Sequence, residues 1–227
     1  MKLLSFCLLI VLISCERNSY QRIEHILQST LTDSNETIDF IESKFNKLGY
    51  QSKPTDTKLN FTKVGTDSNT VFILTASLKN KYDVSSLLEI AHFFSKIKLT
   101  TSLRFLVFSD SLSSLDLVKT ITIIHLRNLE HLNKKEGLLV EGSETHSSFE
   151  AILKTLGSQV KYQVQQKKLG NDIFTGYKNE SERIPTLVFT IDNKSKPSEK
   201  IRIKGIVSIS KFIARFISAI DREKSLK

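Results

Sequence analysis

Cysteine is almost missing from this sequence: there are two, Cys7 and Cys15, both within the first fifteen positions. Beyond them no thiol is left for a disulfide or a cysteine-ligated metal, so the fold must stand on its core. Long apolar runs are equally scarce, and the one from Leu3 to Ile13 is too short to span a bilayer with ordinary flanks. No glycine-rich phosphate loop, G-x-S-x-G elbow, C-x-x-C pair or RNA-binding aromatic signature occurs. Internal repeats, long linkers and low-complexity segments are absent as well. About 210 residues beyond the N-terminal run is enough chain for one good-sized domain.

What is present starts with MKLLSFCLLIVLISC. Lys2 supplies a charged start and the apolar run follows, as in an export signal. Leu12-Ile13-Ser14-Cys15 resembles a bacterial lipobox, in which the cysteine receives diacylglycerol and becomes the first residue of the mature chain. Residues 1–15 are therefore expected to be a lipoprotein signal peptide, with Cys15 the lipidation site in the bacterial cell envelope. Residues 16–32 read as a polar tether and a first helix, and 33–222 as a single domain. The formal charge of +9 suits anionic headgroups, each nearby lysine adding on the order of 1 kcal/mol. A lysine-rich proteome would give the same balance. The basic residues are scattered without aromatic interleaving, which argues against nucleic acid as a partner.

Helix-like and strand-like stretches then alternate. DSNETIDFIESKFNKL, residues 33–48, carries an Asp33–Glu36 capping box, apolar residues at helical spacing and a stop at Gly49. A strand from Leu59 to Val64 and a turn at Gly65-Thr66-Asp67 lead to TVFILTA, residues 70–76, a doubly covered strand. A helix over 83–97 and strands over 102–108, 120–125 and 137–140 follow. A helix over 148–156, the strand PTLVFTI (185–191) and an amphipathic helix over 206–220 close the chain. This order predicts a three-layer α/β/α sandwich around a mostly parallel central sheet. Sites in such folds lie at the strand C-terminal ends.

The succession TVFILTAS, LLEIAHFFSKIKLTTSLRFLVFSDSLSSL and IPTLVFT resembles the zinc-dependent aminopeptidase family, peptidase family M-28. The helix ending in KLGY is similar to that family's N-terminal helix, and the resemblance covers most of residues 33–220. It implies two zinc ions about 3.5–4 Å apart, held by histidines and carboxylates, with a glutamate deprotonating the bridging water.

Carried across one at a time, the family's site residues are replaced. Ser77 stands where the first zinc histidine is expected, and no histidine occurs between His25 and His92. Lys79, ten residues before Glu89, takes the bridging aspartate's place, followed by Asn80 as in the family. At the tip of RFLVF the general base and its neighbouring ligand become Ser111 and Leu112. Glu141 in LLVEG is the one candidate for a surviving acid ligand. Asp172 in GNDIF echoes a Ser-Asp-His turn, and no histidine follows His146. Ser111 beside Asp110 lacks a histidine placed to act as its base, so turn formation and helix capping explain these serines better. The five histidines show no metal-ligand spacing.

The sequence thus predicts a lipid-anchored protein with a peptidase-like fold, without metal, cofactor or catalytic residues: a pseudopeptidase with a binding or structural role. Its partners would be the bilayer, through Cys15, and a peptide or small ligand. The ligand's place is a vestigial cleft of Ser77, Lys79, Asn80, Ser111, Leu112, Glu141 and Asp172, where Lys79 could meet a carboxylate. The alternatives are an active zinc-dependent aminopeptidase using other residues, and an envelope scaffold with no ligand.

Overall fold

A computed structural model of the chain describes residues 18–29, 34–52, 58–108, 119–131, 137–142, 147–158, 164–168, 184–191 and 197–225. Helix α1 spans 18–29 and α2 Ser34–Lys47, followed by strands β1 (Gln51–Ser52), β2 (Lys58–Lys63) and β3 (Asp67–Ser77). Helix α3 (Lys81–Ser95) leads to β4 (Thr101–Phe108), β5 (Thr120–Arg127), a short 3-10 turn at Leu129–His131 and β6 (Leu138–Glu141). Helix α4 (Ser147–Gly157), β7 (Val164–Lys167), β8 (Thr186–Thr190) and α5 (Glu199–Ser225) complete the order.

The eight strands form one sheet in the order β1-β2-β4-β3-β5-β8-β6-β7. Its centre is parallel, β4 to β3, β3 to β5 and β5 to β8, while β2 joins β4 and β6 joins β8 antiparallel. Successive strand side chains point to opposite faces, and this sorts the core. Phe72, Leu74 and Ala76 on β3, with Phe105 and Val107 on β4 and Ile124 and Leu126 on β5, join side chains of α2, α3, α4 and α5 in one apolar cluster. Ile73, Leu106 and Ile123 face the other way into a smaller buried cluster. All five residues from Phe72 to Ala76 are buried, as a doubly covered strand requires. The fold is the expected α/β arrangement of a central sheet flanked by helices.

Two glycines shape the connections. Gly49 ends α2 with φ +81°, where a side chain would be strained. A Cβ on Gly65 would stand 2.3 Å from the Thr100 carbonyl oxygen, so only glycine lets the chain into β3 pass β4 this closely. Boundaries moved where side chains intervened. Helix α3 begins at Lys81 instead of 83 because Asn80 caps it, and β5 runs on to Arg127 instead of stopping at His125. Asp33, the expected cap of α2, lies outside the described residues.

The first helix expected within 16–32 starts at residue 18, inside the stretch ERNSYQR read as polar tether, and is fastened to the domain. Ile23 and Leu27 of α1 pack with Tyr82 of α3 and with Ile203, Ile206 and Val207 of α5. No helix among the described residues is long and apolar enough to cross a membrane.

Candidate functional site

Because β3, β4, β5 and β8 run in one direction, their C-terminal ends, Ser77, Phe108, Arg127 and Thr190, share one edge of the sheet. The turn after β3 is closed by the Asn80 N–H donating to the Ser77 carbonyl at 3.1 Å. The Lys79 N–H donates to Ser77 Oγ at 3.3 Å. Asn80 Oδ1 accepts from the N–H groups of Tyr82 and Asp83, at 3.0 and 3.3 Å, satisfying two orphan donors of the first turn of α3. Its amide nitrogen donates to the Glu130 carboxylate.

Asp83 continues this stitching. Its Oδ1 accepts from the Leu129 N–H at 2.9 Å and its Oδ2 from the Asn128 N–H at 3.2 Å, tying the start of α3 to the turn after β5. The side chain is buried, and burial pushes its carboxyl up to about 7 although the two backbone donors pull the other way.

The pleat of β5 turns His125 and Arg127 away from the main core. His125 Nδ1 and Thr75 Oγ1 are hydrogen-bonded at 2.8 Å, and the ring lies 5.8 Å from that of Phe108. Burial first, then the charge of Arg127, pushes the imidazole down to about 4, so it is neutral at pH 7. Arg127 Nη2 donates to Glu141 Oε2 at 3.2 Å.

Ser77, Lys79 and Asn80 therefore do sit together at the edge, with Lys79 exposed. Glu141 does not join them. It stands on β6, three strands from β3, or roughly 14 Å at ordinary strand spacing. Because β6 is antiparallel to β8, Glu141 lies level with Val188 and His125, below the edge. The strand beside β3 on that side is β5, and it ends in a cation, Arg127, which Glu141 neutralises. Cys15, Ser111, Leu112 and Asp172 lie outside the described residues.

These donors do not fit the zinc that the fold family implies, because zinc is held by thiolate, imidazole and carboxylate. Ser77 offers a neutral hydroxyl, while Lys79 and Arg127 offer positive charge. Among the described residues no three His, Cys, Asp or Glu side chains converge to hold a metal. What the edge presents is hydrogen-bonding groups and the exposed Lys79. The sequence alone gives Asp83 and Arg127 no role and His125 only a place among histidines without metal-ligand spacing, although two signals are there. Asn80 and Asp83 have the N-cap and N3 spacing of a capping box, and the alternation of TITIIHLR puts His125 and Arg127 on one face.

A second polar concavity lies between α1, α2 and α3, a cavity of about 520 Å³. Arg22, His25, Lys44, Lys47, His92 and Lys96 line it around Ile26, Leu48 and Leu88. Its one acid, Glu89, is buried and taken by Arg22 in a two-point pair, Nη2 to Oε1 at 2.7 Å and Nε to Oε2 at 3.0 Å.

The eight-stranded mixed sheet with its flanking helices defines the fold of the zinc aminopeptidases. Among solved structures, LapB from Legionella pneumophila superposes with a TM-score of 0.68 at 12% identity, over 89% of this chain and 71% of that one. A leucine aminopeptidase precursor from Bacteroides thetaiotaomicron gives 0.64 at 12% identity, over 88% and 95%. The glutaminyl cyclase of Porphyromonas gingivalis gives 0.62 at 12%, over 88% and 96%. At such identities the likeness is one of fold. No protein-family model matches the chain, and no curated protein does.

Proposed function

We propose that this chain is a lipid-anchored envelope protein that keeps a zinc-aminopeptidase-like fold and does not hydrolyse peptides, acting instead in binding or structure. The chemistry of the strand edge carries this reading: Ser77 and Lys79 occupy two positions where the resemblance expects metal ligands, and Arg127 adds a second cation beside them. Ser111 and Leu112 in the sequence extend the pattern, since a hydroxyl is a poor general base and leucine has no donor atom. A fold does not by itself assign an activity, and neighbours named as aminopeptidases and as a glutaminyl cyclase already share this one.

Attachment rests on Leu12 to Cys15, and the exposed Lys79 gives the edge a cation for a ligand carboxylate. Metal analysis of the purified protein, with hydrolysis of aminoacyl and dipeptide substrates, tests the central claim. Far less than one zinc per chain and no chelator-sensitive turnover are expected; stoichiometric zinc with chelator-sensitive turnover would overturn it. A mass spectrum of the N-terminal peptide decides the anchor, through the diacylglyceryl mass on Cys15. Binding of a peptide ligand that is unchanged by Lys79→Ala would remove the carboxylate role.

A further inference from the structure

The cavity between α1, α2 and α3 belongs to no part of the aminopeptidase-like edge, and its charge is lopsided. Arg22 is neutralised by Glu89, but among the described residues no acid pairs with Lys44, Lys47 or Lys96. Lys44 lies over the Phe40 ring at 4.9 Å, and Lys47 and Lys96 are exposed at the rim. The half-buried imidazole of His92 feels this field: burial, then the charges of Arg22 and Lys96, hold it below its ordinary value despite Glu89. Beneath the rim the floor is apolar, with Ile26, Leu48 and Leu88. Cations without acid partners at the rim of a cavity match an anionic group such as a phosphate.

Position gives the source of that group. The cavity starts at Asn18, three residues after Cys15, and three residues of chain reach at most about 11 Å. Helix α1, which forms one wall, is fixed to the domain through Ile23, Leu27 and the Arg22–Glu89 pair. An acyl anchor at Cys15 would therefore hold this cleft near the membrane surface.

We propose that the cleft between α1, α2 and α3 receives the phosphate headgroup of an anionic phospholipid in the membrane that carries the Cys15 anchor. This rests on the anchored reading given above. Two contacts, one covalent and one electrostatic, then fix the orientation of the domain, since a lipid chain alone leaves it free to swivel.

The test uses the full chain carrying Cys15→Ser, which cannot be acylated, sedimented with phosphatidylcholine vesicles with and without phosphatidylglycerol. The apolar run of residues 3–13 contributes equally to both mixtures, so the difference between them reports the headgroup. Binding is expected to favour the phosphatidylglycerol vesicles, and Lys47→Glu/Lys96→Glu should cut that preference at least about tenfold. Lys154→Glu/Lys204→Glu, an equal charge change at exposed positions on α4 and α5, should cut it less than about threefold. Equal losses in the two double variants would mean bulk charge alone and overturn the site, as would no loss in either. Binding of glycerol phosphate or inorganic phosphate that depends on Lys47 and Lys96, without any vesicle preference, would overturn the lipid source and assign the cleft to a soluble phosphate compound. An unmodified Cys15 in protein from its native membrane would sink the anchor, a result separate from the vesicle comparison.

Discussion

The strand edge and the helical cleft handle their polar groups in opposite ways. At the edge, Asn80 meets Glu130, Asp83 meets two backbone donors, Thr75 meets His125 and Arg127 meets Glu141. In the cleft, one acid is spent on one arginine, Lys44 lies over the Phe40 ring, and Lys47 and Lys96 are exposed. Partners inside the protein stabilise the fold and leave little to offer a ligand. Unpaired cations contribute little to stability and keep their charge for something else. The difference is one of pairing: the edge is largely stitched to its own fold, while Lys47 and Lys96 of the cleft have no acid partner among the described residues.

The largest effect should follow Asp83→Ala. Leu129 is fully buried, so its N–H would lose its acceptor, and the Asn128 N–H loses its own beside it. A loss of about 3 kcal/mol is expected in urea unfolding. A loss below about 1 kcal/mol would mean that the stitching between α3 and the turn after β5 is ornamental.

Next come two opposed pH slopes at the edge. Unfolded, the Asp83 carboxyl ionises above its ordinary 3.8, but folded only near 7; stability from this group is greatest below 3.8 and falls as pH rises toward 7. Unfolded, the His125 imidazole takes a proton below 6.5, but folded only near 4; its contribution is complete above 6.5 and falls as pH drops toward 4. Between pH 4 and 6.5 the two cancel in the natural chain. Asp83→Asn should expose stability rising with pH, and His125→Phe stability falling with pH, each by at most about 1.4 kcal/mol per unit. Parallel profiles for the two variants would refute the assignment.

A smaller effect tests the paired part of the cleft. Arg22→Ala leaves the buried Glu89 carboxylate without its partner, and the arginine side chain is itself 32% exposed. Thermal or urea unfolding should register a loss of about 1–2 kcal/mol, less than for a fully buried pair. Smallest of all, Lys47→Ala and Lys96→Ala should each change stability by less than about 0.5 kcal/mol. A larger loss would show that these lysines serve the fold, and the contrast between the two regions would fail.

How much of this was legible in the sequence depended on how far apart the interacting residues lie. TVFILTA, RFLVF and PTLVFT announce buried strands through composition and period alone, because pleat and burial are local properties. Helix α3 starts two residues before the position that apolar periodicity gives, because the Asn80 side chain caps it. The family resemblance assigns Glu141 to the edge as an acid following a later strand; the antiparallel pairing of β6 with β8 carries it elsewhere. No local pattern states the direction of a strand.

By itself the sequence determined the order of the main helices and of six of the eight strands, β1 and β7 excepted, the apolar faces that close the core, and the presence of Ser77 and Lys79 at the end of β3. These follow from residue type and short-range periodicity. Only the tertiary structure decided that Arg127 would stand beside Ser77, that Glu141 would neutralise it, and that Arg22 would reach Glu89 across 67 residues to form one wall of a cationic cleft. Charge pairs of that kind are set by which elements pack together, and packing is a property of the whole core that no single stretch of chain contains.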